Sequence, residues 1–168
     1  EDYAFASALL QGEGLQEYVL NYRRRMFSSA SAIFWSFNDS WPVTHGWTIV
    51  DYYLRRKLAY YPVRRAFQPV TVVVAEEDDI VQVYGVNDTC RPVHAQLRFG
   101  LFTLAGAYPY EQSYPVILAP NASTLVGAFP TRHWQAQGLA ESGAFAVLAV
   151  NEEIVAQHRL FQARFHEL

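Results

Sequence analysis

Three residue types are nearly missing from this 168-residue sequence: it has one cysteine, Cys90, one methionine, Met26, and one lysine, Lys57. A single cysteine excludes an internal disulfide. No apolar run approaches the ~18 residues that a membrane-spanning helix needs, and no charged-then-apolar leader opens the chain. Charge is also sparse: 17% of residues are ionic, the net charge is −3 and the pI is about 5.9, so no basic surface for nucleic acid is expected. The histidines at 45, 94, 133, 158 and 166 have no metal-ligand spacing. No nucleophile elbow marks a serine hydrolase, and no internal repeat or low-complexity tract is present. The chain opens on Glu1-Asp2 with its only methionine internal, so it is expected to be part of a longer protein; the compartment is left open.

Hydrophobic residues make up 51% of the chain, including 11 Tyr, 11 Phe and 4 Trp. That weight suits a packed core and equally a sugar-binding surface. The periodicity divides the chain in two. Before residue 68, Leu15, Tyr18, Val19, Tyr22 and Met26 fall on one helical face, and Arg23 to Arg25 sit at the helix end, where cations are favoured. Gly12 and Gly14 are expected to weaken its middle. Ser31 to Phe37 is apolar at both alternating sets of positions and predicts a strand buried on both faces. Lys57 to Phe67 predicts a short helix with Pro62 near its start. After Pro69 the period becomes two. Val70, Val72 and Val74 alternate, and Val93, Ala95, Leu97, Phe99 and Leu101 form the longest such row. Further strands are expected near 81–85, 114–118, 123–129, 144–150 and 154–165, separated by turn signals such as Glu76-Glu-Asp-Asp79 and Asn151-Glu-Glu. About seven short strands predict an immunoglobulin-like β-sandwich, with a small barrel as the other reading.

The stretch from Trp35 to Trp47 concentrates candidate chemistry. Trp35, Phe37, Trp41 and Trp47 stand beside Asn38, Asp39 and His45. A sugar offers an apolar ring face and a hydroxyl rim, which stacked aromatics plus directional polar groups can hold; the same residues could equally plug a domain boundary. Asp39 and Asp51 could be a glycosidase carboxylate pair, although each is better expected to bond a turn or an arginine. Glu13 reads as a helix-surface residue and Cys90, beside Arg91, as an inert turn thiol. Glu76 to Asp79 reads as a solvated hairpin turn rather than a calcium loop. Asn38, Asn87 and Asn121 head glycosylation sequons.

Ala32-Ile-Phe-Trp-Ser-Phe-Asn-Asp-Ser-Trp-Pro-Val-Thr, followed by Trp47-Thr-Ile-Val-Asp-Tyr-Tyr-Leu-Arg-Arg-Lys-Leu-Ala-Tyr-Tyr and by Arg64-Arg-Ala-Phe-Gln-Pro-Val, resembles the end of the catalytic barrel in family 2 glycoside hydrolases, in their β-mannosidase branch. The resemblance covers about forty residues by motif and the remainder by layout. It implies that 1–68 is the last helix–strand–helix of a TIM barrel (helix seven, strand eight, helix eight) and that 69–168 is the immunoglobulin-like sandwich behind it. The expected class is therefore mostly β with an α/β remnant in front.

The resemblance also implies a retaining hydrolase acting on terminal β-mannosyl residues, with no organic cofactor and no metal. Its two catalytic glutamates, on barrel strands four and seven, would both precede Glu1. No catalytic residue is then expected in this chain, which would be inactive alone. Trp35 matches the tryptophan that stacks under the sugar. Asn38, Asp39 and Trp41 complete the expected substrate-binding wall, chiefly by shaping and packing the loop, and Asp51 anchors the turn into the last helix. Two departures bear on substrate preference: Ser40 stands where cysteine is common, and His45-Gly46 lengthens the loop. The related exo-β-glucosaminidases tend to carry Asn-Asn where this chain has Asn38-Asp39, which favours a mannoside. The expected partners are a β-mannoside or related oligosaccharide and the rest of the barrel, without nucleic acid or membrane. The alternatives are a carbohydrate-binding or structural sandwich, for which Tyr84, Phe102, Tyr108, Tyr110 and Trp134 are the candidate surface aromatics, or a parent acting on a β-glucosaminide or β-galactoside.

Overall fold

The computed structural model describes residues 2–43, 46–138 and 140–162. It divides into two compact units, Glu1–Gln68 and Pro69–Leu168.

In the first unit, α1 (Asp2–Arg24) and α2 (Tyr60–Ala66) flank a long irregular segment. Of the predicted face, Val19 is buried and Leu15, Tyr18 and Tyr22 are half-buried, while Met26 lies past the end of α1; Leu20, outside that face, is buried as well. Gly12 is buried where α1 crosses the start of α2. A methyl group there would lie 3.0 Å from Pro62 Cγ and 3.2 Å from Ala59 Cα, so the glycine serves close packing rather than merely weakening the helix. The Arg23 guanidinium donates to the Ala66 carbonyl and ties the two helix ends together. Ile49, Val50, Ala59 and Val63 form the small core, with Leu15, Phe34 and Tyr60 packed on it.

The expected strand at Ser31–Phe37 is not formed. The segment makes no ladder, and Ile33, Trp35 and Phe37 are 79%, 81% and 57% exposed rather than buried on two faces. An extended segment gains strand bonds and burial only from flanking strands, and none flanks it among the described residues. What remains is a single parallel bridge, Asn38 to Val50, continued by an antiparallel one from Val50 to Arg56.

The second unit is a sandwich of two antiparallel sheets. One contains β1 (Val70–Glu77), β2 (Ile80–Asn87) and β5 (Ala122–Pro130) in the order β1-β2-β5. The other contains β3 (Val93–Thr103), β4 (Tyr110–Leu118), β6 (Ser142–Val150) and β7 (Glu153–Leu160) in the order β4-β3-β6-β7. A one-turn helix, α3 (Arg132–Gln135), joins β5 to β6. The alternating row on β3 supplies Ala95, Leu97, Phe99 and Leu101 to a core shared with Val72, Val74, Val81, Val83, Phe129 and Leu148. Two hairpins close on two-residue turns with positive φ at both central positions: Asp78 and Asp79 (53° and 60°), and Asn151 and Glu152 (50° and 70°). These are the primed turns whose twist matches that of the strands they join. The acidic run is therefore a hairpin tip. The last strand ends at Leu160, short of the expected 165, and positions 163–165 lie outside the described residues.

Candidate functional site

The tryptophan segment is held from beneath by its backbone. The Phe37 carbonyl accepts from the N–H groups of Ile49 (3.1 Å) and Val50 (2.9 Å), and the Asp39 N–H donates to the Val50 carbonyl at 3.1 Å. Buried Ile49 and Val50 anchor this crossing to the small core. The chain above it is wide open: Trp41 is 65% exposed and Trp47 and Asn38 are exposed, in company with Trp35. His45, placed in the same cluster by sequence, lies outside the described residues.

Asp39 is the exception, at 7% exposure. Its Oδ1 accepts from the Thr48 hydroxyl at 2.6 Å and its Oδ2 pairs with Lys57 Nζ at 2.9 Å. Lys57 Nζ also donates to Thr48 Oγ1 at 2.5 Å, which closes a triangle. The hydrogen bond from Lys57, then the one from Thr48, hold the Asp39 carboxyl below its ordinary 3.8 against the effect of burial. Neither Thr48 nor Lys57 was singled out for this site by the spacing of motifs. The available signal was compositional: one lysine in a chain whose other cations are all arginine.

Asp51 belongs to a separate turn. It accepts the Arg55 backbone N–H at 2.8 Å and Arg55 Nε at 2.6 Å, while Leu54 takes a positive φ of 63°. Burial pushes its carboxyl up, but the two Arg55 hydrogen bonds and the Arg55 charge together outweigh this and keep it low. Asp51 therefore anchors the turn before α2. With both acids ionised at neutral pH, neither suits proton donation to a glycosidic oxygen, which calls for a carboxyl whose pKa is raised. Asp39 and Asp51 are thus engaged in two separate networks, one with Lys57 and Thr48 and one with Arg55.

Concavities lined wholly by described residues include two open ones. One, of about 360 Å³, is lined by Phe34, Phe37, Ile49, Tyr60, Val63 and Phe67 with Arg64; it offers apolar surface and no carboxylate. The other, of about 680 Å³, lies on the sandwich between His94, Gln96, Pro115, Ile117, Ala149, Asn151 and Glu152, with no Trp, Tyr or Phe in its lining. Among the candidate sandwich aromatics Trp134 is fully buried, Tyr84, Phe102 and Tyr110 are half-buried, and only Tyr108 is exposed. Tyr108 leans edge-on against Phe145 beneath the Arg98 guanidinium. These residues do not form a coplanar platform. No cluster of metal-ligating side chains occurs among the described residues, and no helix is long and apolar enough to cross a membrane. Of the three sequon asparagines, Asn87 is fully buried and its Nδ2 donates to the carbonyls of Arg91, Leu118 and Ala119.

Residues 79–165 match the mannosidase Ig/CBM-like domain. The chain belongs to that family. Beta-mannosidase B of Thermothelomyces thermophilus is 40% identical to this chain over 77 residues, covering 43% of this chain and 9% of that protein. Beta-mannosidase B of Aspergillus niger is 39% identical over 80 residues, covering 46% and 9%. Among solved structures, the beta-D-mannosidase of Dictyoglomus thermophilum superposes with a TM-score of 0.90 at 26% identity, over 98% of this chain and 20% of that one. The exo-chitosanase of Amycolatopsis orientalis matches at 0.73 and 23% identity over 95% and 19%, a likeness of fold alone. The chain thus spans about a tenth to a fifth of the length of these relatives. It is a mostly β, β-mannosidase-like domain of the family 2 glycoside hydrolase type, whose relatives are glycoside hydrolases.

Proposed function

We propose that this chain is the C-terminal part of a retaining, exo-acting β-mannosidase. Residues 1–68 form the end of its catalytic barrel, and the sandwich is the domain that follows it in the chain. The observation that carries this reading is the run of exposed tryptophans on a loop pinned by a partly buried ion pair, in a chain that resembles a β-D-mannosidase over 98% of its length. Trp35 supplies the apolar ring under the terminal sugar. Asn38 and Trp41 complete the wall, and Asp39 shapes it. A retaining hydrolase also needs two carboxyl groups about 5–5.5 Å apart, one as acid/base and one as nucleophile. Asp39 and Asp51 are committed elsewhere, so the reacting glutamates come from other barrel strands and the 168-residue chain hydrolyses nothing by itself. The rest of the barrel is its structural partner, and a terminal β-mannoside is the substrate.

The test uses the full-length protein. It should hydrolyse 4-nitrophenyl β-D-mannoside, with the β-anomer of mannose as first product by NMR, and faster than the β-glucosaminide or β-galactoside. Trp35→Ala should lower kcat/KM by about tenfold or more, since about 1.4 kcal/mol of lost sugar contact is a factor of ten. Preference for the glucosaminide would move the assignment to that substrate. No turnover of any β-glycoside would sink the reading.

A further inference from the structure

We propose that Lys57, together with Thr48, is a positioning residue of the sugar subsite: acting through Asp39, it fixes how Asn38 and Trp41 are presented. The inference rests on the reading of this loop as the wall of a glycosidase subsite.

Two side chains far apart along the loop converge on one carboxylate. Asp39 lies nine residues before Thr48, and Thr48 nine before Lys57. Both carboxylate oxygens are engaged, one by a hydroxyl at 2.6 Å and one by an ammonium at 2.9 Å. The hydroxyl in turn accepts from the same ammonium, so removing any one member leaves the other two mismatched. Backbone bonds frame the triangle: Asp39 N–H donates to the Val50 carbonyl at 3.1 Å and Lys57 N–H to the Ile49 carbonyl at 2.9 Å. Gly46 roofs it. A Cβ there would fall 3.0 Å from Asp39 Oδ1 and 3.9 Å from Lys57 Nζ, so the chain at Gly46 passes close over the ion pair. A lysine ammonium is compact and can serve a carboxylate and a hydroxyl from one point. A guanidinium is a planar fork and needs more room.

The triangle bears on recognition because of what is attached to it. Asn38 directly precedes the pinned carboxylate, and its Nδ2 donates to the Asp39 carbonyl at 3.1 Å, which orients the amide. Trp41 follows two residues later and is exposed. If Asp39 shifts, the amide and the ring shift with it. A displacement of about 1 Å at a binding group is enough to be felt in turnover.

The experiment compares Lys57→Met and Thr48→Val with wild type in the full-length protein, using 4-nitrophenyl β-D-mannoside and the matching β-D-glucosaminide. Thr48→Val removes the hydroxyl at nearly constant volume and keeps the question answerable if Lys57→Met does not fold. Both variants should raise KM for the mannoside by about tenfold and narrow the mannoside-to-glucosaminide ratio of kcat/KM. A merely structural role would reduce the amount of folded enzyme, lowering apparent kcat while leaving KM and the ratio unchanged. Active wild type with unchanged KM and ratio in the folded variants overturns this inference alone. Wild type inactive on both substrates overturns the glycosidase reading beneath it.

Discussion

At the scale of single residues, the site is governed by where one carboxylate spends its hydrogen bonds. Asp39 is held below 3.8 by Lys57 and then Thr48, with Asp51 opposing as a nearby like charge. The folded pKa is depressed, so the stabilisation from this group is fully present above the ordinary carboxylate value and is lost as pH falls through the folded one. Asp51 is lowered as well and adds an acid limb of its own. Urea midpoints of the chain should therefore be level from about pH 7 to about pH 5 and decline below the usual carboxylate range. Asp39→Asn should lower the midpoint at neutral pH, because Lys57 loses its anion, and should make the acid decline shallower. An acid limb unchanged in the variant would remove Asp39 from this role. Much of the site was open to sequence reasoning. An Asn-Asp-x-Trp-Pro run between tryptophans is rich in apolar rings and directional polar groups, whatever its fold. The Lys57 and Thr48 contacts were not legible, since they join positions nine apart in irregular chain, where no helical or strand period relates one side chain to another.

At the scale of elements, period decided what could be read. On β3 the alternation from Val93 to Leu101 meets two neighbouring strands, so periodicity and burial agree. Ser31 to Phe37 shows the same apolar weight, but no strand flanks it among the described residues, and there periodicity and burial disagree. Glycines in α1 teach a similar lesson, because composition treats Gly12 and Gly14 alike. The structure separates them: a methyl at Gly12 meets Pro62 and Ala59, whereas one at Gly14 meets nothing within 4 Å. Gly14→Ala should stabilise the helix by about 0.5–1 kcal/mol, the usual difference in helix propensity. Gly12→Ala gains the same propensity but must displace a proline ring and a backbone atom, an overpacking cost of about 1–3 kcal/mol. Thermal melts followed at 222 nm should therefore move in opposite directions for the two variants. A rise for both would mean that the crossing of α1 and α2 is loose.

At the scale of the whole chain, the two units differ in how much of their apolar surface they cover for themselves. The buried members of the sandwich core run from Val72 to Ala156, on strands that pair within that unit and, for Trp134, on α3. Phe99 stands in its middle, stacked on Phe129 and edge-on to Tyr114. Buried His158 on β7 accepts the Val74 N–H of β1 at 3.0 Å and links the two sheets at that side. Residues 69–168 should thus fold alone and unfold in one cooperative transition, and Phe99→Ala in that piece should cost about 3–5 kcal/mol. Among the described residues of the first unit the buried apolar ones are Val19, Leu20, Ile49, Val50, Ala59, Val63 and Ala66, while Tyr3, Phe27, Ile33, Trp35 and Trp47 are largely exposed. Apolar surface of that extent on a stable protein is normally a surface that something else covers, and the proposed partner is the remainder of the barrel. The 168-residue chain should consequently bind more anilinonaphthalene sulfonate per molecule than the 69–168 piece, and it should self-associate on a sizing column where the piece stays monomeric. Replacing Trp35, Trp47 and Ile33 together by serine should reduce both signals without shifting the melt of the sandwich. A monomeric full chain with no excess dye binding would mean that the first unit needs no covering partner, and the barrel assignment of residues 1–68 would fail with it.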